Sequence, residues 1–144
     1  MINIIDTFYP LIASILAMLA SQFIKLILML LSNKRFDFST LTRSGGMPSS
    51  HSAMITAVSL SIGLKDGFDS SYFFLSVILS FIVIYDARGI RHTVGEHAKF
   101  LNKTILSDSP NRLNEYVGHN LPEIIVGISI GLIMSFGMYH LINF

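Results

Sequence analysis

Cysteine is absent from the 144 residues. Disulfides, thiol nucleophiles and cysteine metal sites are therefore excluded, and the redox compartment stays undefined. Charge is scarce too, at 13% Asp, Glu, Lys and Arg, where soluble domains carry roughly a quarter. The net charge is +1 and the basic residues are scattered, not striped, which leaves no case for nucleic-acid binding. No repeat and no low-complexity segment is present. The N-terminus lacks Lys or Arg before its first apolar run and lacks a small-residue cleavage pattern. It reads as a retained span and not as a signal peptide.

What the chain has in quantity is apolar sequence: 51% hydrophobic residues and a mean hydropathy of +0.61. Both point to an integral membrane protein. One all-α membrane-embedded domain is expected over residues 1–144: a bundle of about four transmembrane helices plus a short interfacial helix. The first span is expected over Thr7–Leu31, apolar except for Gln22 and Lys25, with Pro10 tolerated in its first turn. A second run, Met47–Leu64, holds five serines and is marginal in length as a span. It reads as a short, small-residue helix enclosed by its neighbours. The third run, Ser70–Tyr85, is about 24 Å long as a helix, short of a hydrocarbon core of about 30 Å. It is expected to continue through Asp86 and Arg88 towards Arg91. Thr93–Leu106 is polar and helix-compatible. Ser109 or Asp108 is expected to cap a short helix over 110–117, ended by Gly118. The last span is Leu121–Phe144, where Gly127, Gly131 and Gly137 offer close helix contacts within or between subunits, so a homodimer is compatible.

Basic residues set the expected orientation. Loop 32–46 carries Lys34, Arg35 and Arg43, and loop 86–120 carries Arg88, Arg91, Lys99, Lys103 and Arg112, whereas the intervening turn has only Lys65. The positive-inside rule puts both basic loops in the cytoplasm and both termini outside. Several polar residues then fall in one layer at the cytoplasmic face. Lys25 lies about 9 Å below the end of the first span. The corner Ser44-Gly45-Gly46-Met47-Pro48-Ser49-Ser50-His51 opens the second. Asp86, Arg88, Arg91 and His92 close the third, and Gly118, His119 and Glu123 open the fourth.

The glycine–serine–histidine corner has two readings. Gly45 and Gly46 permit a tight turn and close ligand approach. Pro48 and a capping Ser49 or Ser50 then start a helix whose free N–H groups suit an anion such as phosphate. It is equally an ordinary Gly-Pro turn with a serine cap. The other residues divide likewise. Lys25 can snorkel to the headgroups, and Asp86 with Arg88 can form an interfacial ion pair without chemistry. His92, Glu96 and His97 read as a solvated face, and His140 is assigned no role. His119 and Glu123, four apart, share a helical face, so the carboxylate can orient the imidazole. Acidic residues in the layer, Asp86 and Glu123, also leave a divalent ion conceivable.

Three segments carry a family resemblance: Gly45-Gly46-Met47-Pro48-Ser49-Ser50-His51-Ser52-Ala53, Tyr85-Asp86-Ala87-Arg88-Gly89-Ile90-Arg91 and Gly118-His119-Asn120-Leu121-Pro122-Glu123. Together they resemble the divergent branch of the phosphatidic acid phosphatase type 2 superfamily, relatives of acid phosphatases and vanadium-dependent haloperoxidases. The resemblance covers Gln22 to about Gly131. It implies that Pro48-Ser49-Ser50-His51 stands for the superfamily's P-S-G-H phosphate motif, with His51 the general acid. It implies that His119-x3-Glu123 stands for the second half of S-R-x5-H-x3-D, with His119 the nucleophile and Glu123 its orienting acid. The arginine of that motif falls on Leu113, one residue from Arg112. The K-x6-R-P motif is not matched, since seven residues after Lys25 stands Ser32.

The enzyme reading is a membrane-embedded phosphatase for a lipid or isoprenoid phosphate, without cofactor or resident metal. Catalysis would rest on His51, His119 and Glu123. Substrate would be held by Lys25, Arg43, Gly46, Ser49, Ser50, Asp86, Arg88 and Arg91. The alternative is a non-catalytic protein of the same fold that binds or carries a lipid phosphate.

Overall fold

The computed structural model describes residues 4–31, 45–107 and 109–143. The chain order is α1 (Ile4–Leu31), α2 (Ser50–Asp66), α3 (Ser71–Arg88), α4 (Ile90–Thr104) and α5 (Leu121–Asn143), with no strand among the described residues. Three stretches, Asp6–Leu31, Ser71–Thr104 and Leu121–Asn143, are long and apolar enough to cross a membrane. Helix α2, with 17 residues, reaches only about 25 Å.

That short helix is the hub of the bundle, packed against α1, α3 and α5. Its composition allows this. Ala53 and Ala57 are fully buried beside Ala17 of α1, and Ile130 and Met134 of α5 close over them. A Cβ placed on Gly127 would lie 2.4 Å from the Ser49 carbonyl oxygen, and one on Gly131 2.4 Å from that of Ala53. The backbones of α2 and α5 therefore touch, so these two glycines are spent on contacts within the chain.

Serine hydroxyls complete the interior. Ser59 donates to the Ser76 carbonyl at 3.0 Å and pairs with Ser80 at 2.7 Å, and Ser61 pairs with Ser135 at 2.8 Å. Tyr9 donates to the Ser135 carbonyl at 2.9 Å. Buried hydroxyls away from water are costly unless paired. The apolar side chains that stay uncovered, Phe74, Leu75, Ile78 and Phe81 on α3 among them, suit a hydrocarbon surround.

The helices run up and down. At one end Tyr9 of α1 meets Ser135 of α5, and Lys65 of α2 donates to the Thr7 carbonyl. At the other, Lys25 of α1 donates to the Gly45 carbonyl, the Ser49 amide to the Glu123 carbonyl at 3.0 Å, and the His119 amide to the Ala87 carbonyl at 2.9 Å.

One sequence expectation is corrected. The short helix expected over 110–117 is not formed. Asn102 of α4 intercepts that segment, its Oδ1 accepting from the Leu113 amide and its Nδ2 donating to the Leu113 carbonyl, both at 2.9 Å. A second donation from Nδ2 reaches Glu115 Oε1 at 2.8 Å. With its backbone pairing taken by a side chain, the segment lies irregular across Gly95, where a Cβ would lie 2.6 Å from the Val117 carbonyl oxygen. The helix that precedes this segment is α4, Ile90–Thr104. Ser49, one of the two caps that the sequence offered, is the N-cap of α2, directly after Pro48.

Gly131→Ala should destabilise the detergent-solubilised protein by about 1–3 kcal/mol, since the added carbon meets backbone. Gly137→Ala, with nothing within 4 Å, should be neutral or stabilising by up to about 1 kcal/mol. Thermal unfolding of the two variants side by side checks the difference.

Candidate functional site

The corner before α2 is shaped by its glycines. Gly46 has φ of 93°, a conformation that disfavours side chains. A Cβ on Gly45 would lie 3.1 Å from the Tyr116 carbonyl oxygen and 3.2 Å from that of Gly118. Lys25 does not snorkel: it is 6% exposed, and its Nζ donates to the Gly45 carbonyl at 2.8 Å. Both corner serines are buried and their hydroxyls engaged inside the fold. Ser49 Oγ accepts from the Ser52 hydroxyl at 2.9 Å and caps the Ser52 amide, while Ser50 Oγ accepts from Gln22 Nε2. The Ser49 amide is likewise engaged, with the Glu123 carbonyl, so of the two serines only Ser50 keeps an unpaired amide among the described residues. The amides of Ser50 and His51 meet no acceptor among the described residues, and they stand at the positive end of α2. His51 projects from this first turn and is exposed.

Opposite stands His119, 3% exposed. Gly118, at φ 86°, seats the preceding backbone against Arg91 and His92, where a side chain would not fit. The amide bond to Ala87 then fixes His119 itself. Glu123, one turn on in α5, uses Oε2 twice, accepting from His119 Nδ1 at 2.9 Å and from the Asn120 amide at 3.2 Å. The second contact caps the helix, so the acid that orients the ring is itself held by the backbone.

Burial pushes the His119 imidazole below its ordinary pKa, the Glu123 hydrogen bond and charge pull it back up, and Lys25 and Arg91 push it down again; the net shift is downward. At neutral pH the ring is uncharged. Because Nδ1 faces a carboxylate, it carries the proton, and Nε2 keeps its lone pair. Nε2 makes no hydrogen bond among the described residues.

Arg91, His119, Lys25 and Asp86 act electrostatically on His51, and Arg91 and Lys25 also act on His119. The two imidazoles thus share one field with two cations. Arg91 is aimed by Asp86, which accepts from its Nε at 2.5 Å. The Asp86–Arg88 pairing that the sequence allows is not made. Arg88 faces instead an apolar groove beside Phe81 and Tyr85 of α3 and Leu121 and Ile124 of α5. Arg112 donates to the Ser107 carbonyl at 3.4 Å and is not among the charges acting on either imidazole. Arg43 lies outside the described residues.

Two contributors escaped sequence reasoning. Gln22, visible only as a polar residue in the first span, anchors Ser50, and its Oε1 is buried without a hydrogen-bond partner among the described residues. Asn102 holds the segment that leads to His119. Nothing in its sequence context separates it from a solvated helix face.

The sequence profile of the Divergent PAP2 family matches residues 7–134. The chain is similar to the uncharacterized membrane protein YuiD of Bacillus subtilis (strain 168), with 33% identity over 146 aligned positions that cover 90% of this chain and 92% of that protein. No solved structure matches.

Titration of the His119 ring by NMR should give a pKa below about 6.5, the unperturbed imidazole value. Glu123→Gln removes the charge that raises it, so the midpoint should fall further in that variant. An upward movement in Glu123→Gln would show that the carboxylate is not the ring's partner.

Proposed function

The chain belongs to the Divergent PAP2 family, and from that premise we propose that it is a membrane-embedded phosphatase acting on a lipid or isoprenoid phosphate. The observation that carries this reading is the His119 Nδ1–Glu123 Oε2 contact at 2.9 Å, with the exposed His51 in the same electrostatic neighbourhood.

The chemistry follows from the geometry. His119 Nε2 attacks phosphorus and the ester P–O bond breaks, leaving phosphohistidine. Glu123 stabilises the imidazolium that forms. His51 passes its proton to the departing alkoxide and later takes one from the water that cleaves the P–N bond, releasing inorganic phosphate. Charge on the equatorial oxygens meets Arg91, Lys25 and the amides of Ser50 and His51. Arg91 takes the part that the superfamily gives to the position occupied here by Leu113. Arg43 is a further candidate for the same work. The basic loops 32–46 and 86–120 favour a cytoplasmic site with both termini outside. A homodimer remains compatible with this arrangement, although none of these residues requires one.

Purified protein in detergent–lipid micelles should release inorganic phosphate from lipid phosphates. His119→Ala should abolish release, and His51→Ala should slow it by about 10²–10⁴-fold, the range for a lost general acid. Equal release by wild type and both variants would remove the enzyme reading. Saturable binding without turnover would favour a lipid-phosphate binder of the same fold. Arg91→Gln should reduce turnover well beyond Arg112→Gln, because of these two arginines Arg91 alone acts on the imidazoles.

A further inference from the structure

The end of the bundle remote from the histidines has a cavity of its own, of about 160 Å³. It lies where α1 begins and where α2 and α5 end. Asp6 and Tyr9 of α1, Lys65 of α2, and Tyr139 and Asn143 of α5 are in its lining. Asp6 is the first residue of one membrane-crossing stretch and Asn143 the last of another. The cavity therefore sits at a membrane boundary, in the layer of phospholipid head groups.

Its two charges are opposite and do not meet. The Asp6 carboxylate makes no hydrogen bond or ion pair among the described residues. Lys65 makes one bond there, to the Thr7 carbonyl at 3.2 Å, and pairs with no acid. A carboxylate and an ammonium that share a cavity without pairing complement a ligand that carries both charges. The rest of the lining suits the cationic end. Tyr9 turns its hydroxyl inward to Ser135, so it offers the cavity its ring, and the Tyr139 ring lies 6.0 Å away at 48°. Aromatic rings attract ammonium groups. Asn143 uses its Nδ2 on the Tyr139 carbonyl at 2.8 Å, which leaves Oδ1 to accept. Two acceptors, on Asp6 and Asn143, favour a primary ammonium with N–H donors over a quaternary one. The volume agrees, since a cavity of about 150 Å³ admits benzene and a phosphoethanolamine group has about eight non-hydrogen atoms.

We propose that this cavity binds the phosphoethanolamine head of a membrane phospholipid, with the ammonium on Asp6 and Asn143 and the phosphate on Lys65. The site is independent of the phosphatase reading: it shares no residue with the histidine layer, and the head is held there and not cleaved.

The test titrates full-length protein in detergent with dihexanoyl phosphatidylethanolamine while thermal unfolding is followed. The lipid should raise the unfolding midpoint saturably, because a ligand of the native state stabilises it. Phosphatidylglycerol lacks the ammonium and phosphatidylcholine lacks its N–H donors, so with the same chains each should need about tenfold more lipid for the same shift. Asp6→Asn and Lys65→Gln should each raise the half-saturating phosphatidylethanolamine concentration by about tenfold, the loss of one charge-assisted contact. Asp66→Asn removes a neighbouring acid outside the lining and should titrate like wild type. Equal shifts from the three lipids, or an unchanged titration in Asp6→Asn, would overturn the proposal. Glycerophosphoethanolamine, the same head without chains, separates a lipid from a soluble ligand. Stabilisation by it at the concentration that suffices for the lipid would overturn the assignment to a membrane phospholipid.

Discussion

The backbone contact between α2 and α5 at Gly127 and Gly131 is the constraint on which the rest depends. Between helices in hydrocarbon there is little hydrophobic gain, so close packing and hydrogen bonding must hold the bundle. Glycine on one side and the Ser49 and Ala53 carbonyls on the other bring the axes together. That approach lets the Ser49 amide bond the Glu123 carbonyl. The start of α2, which carries His51, and the start of α5, which follows His119, are thereby fixed to each other by main chain. The non-helical segment that carries His119 is held in turn by the bond from its amide to the Ala87 carbonyl at the end of α3.

Polar groups in the interior follow the same logic at a finer scale. Nearly every described hydroxyl in the core has a partner, and Ser59, Ser61, Ser76, Ser80, Ser135 and Tyr9 bridge three different helix pairs. Lys25 is the exception in charge and not in satisfaction, since its ammonium is tied to Gly45.

Much of this was legible in the sequence. Apolar runs mark α1, α3 and α5 because hydrocarbon tolerates little else. The serine-rich second run was readable as an enclosed helix because five hydroxyls in a short span need protein partners. The His119–Glu123 contact was readable from the spacing of four, although His119 stands just before α5 and not on its face. The rest depended on contacts that no local pattern encodes. Asn102 turned the expected helix at 110–117 into an irregular arm by offering an amide across eleven residues. Asp86 paired with Arg91 across the break at Gly89 and not with Arg88 on its own helix. The N–H groups at the start of α2 looked free for an anion, and only the fold shows the Ser49 amide bonded to the Glu123 carbonyl.

The opposite end of the bundle carries a different implication. Ala17, Ala53, Ala57 and Ser61 have no exposure, and Tyr9, Ser61 and Ser135 knit the helices together beyond them. On the phosphatase reading, an anion at the histidines would meet a stopper of alanine and serine and leave by the way it came. Such a reaction would carry no charge through the depth of the bundle, so the transmembrane voltage, worth about 2.3 kcal/mol per charge per 100 mV for a species that crosses, would have little lever on it.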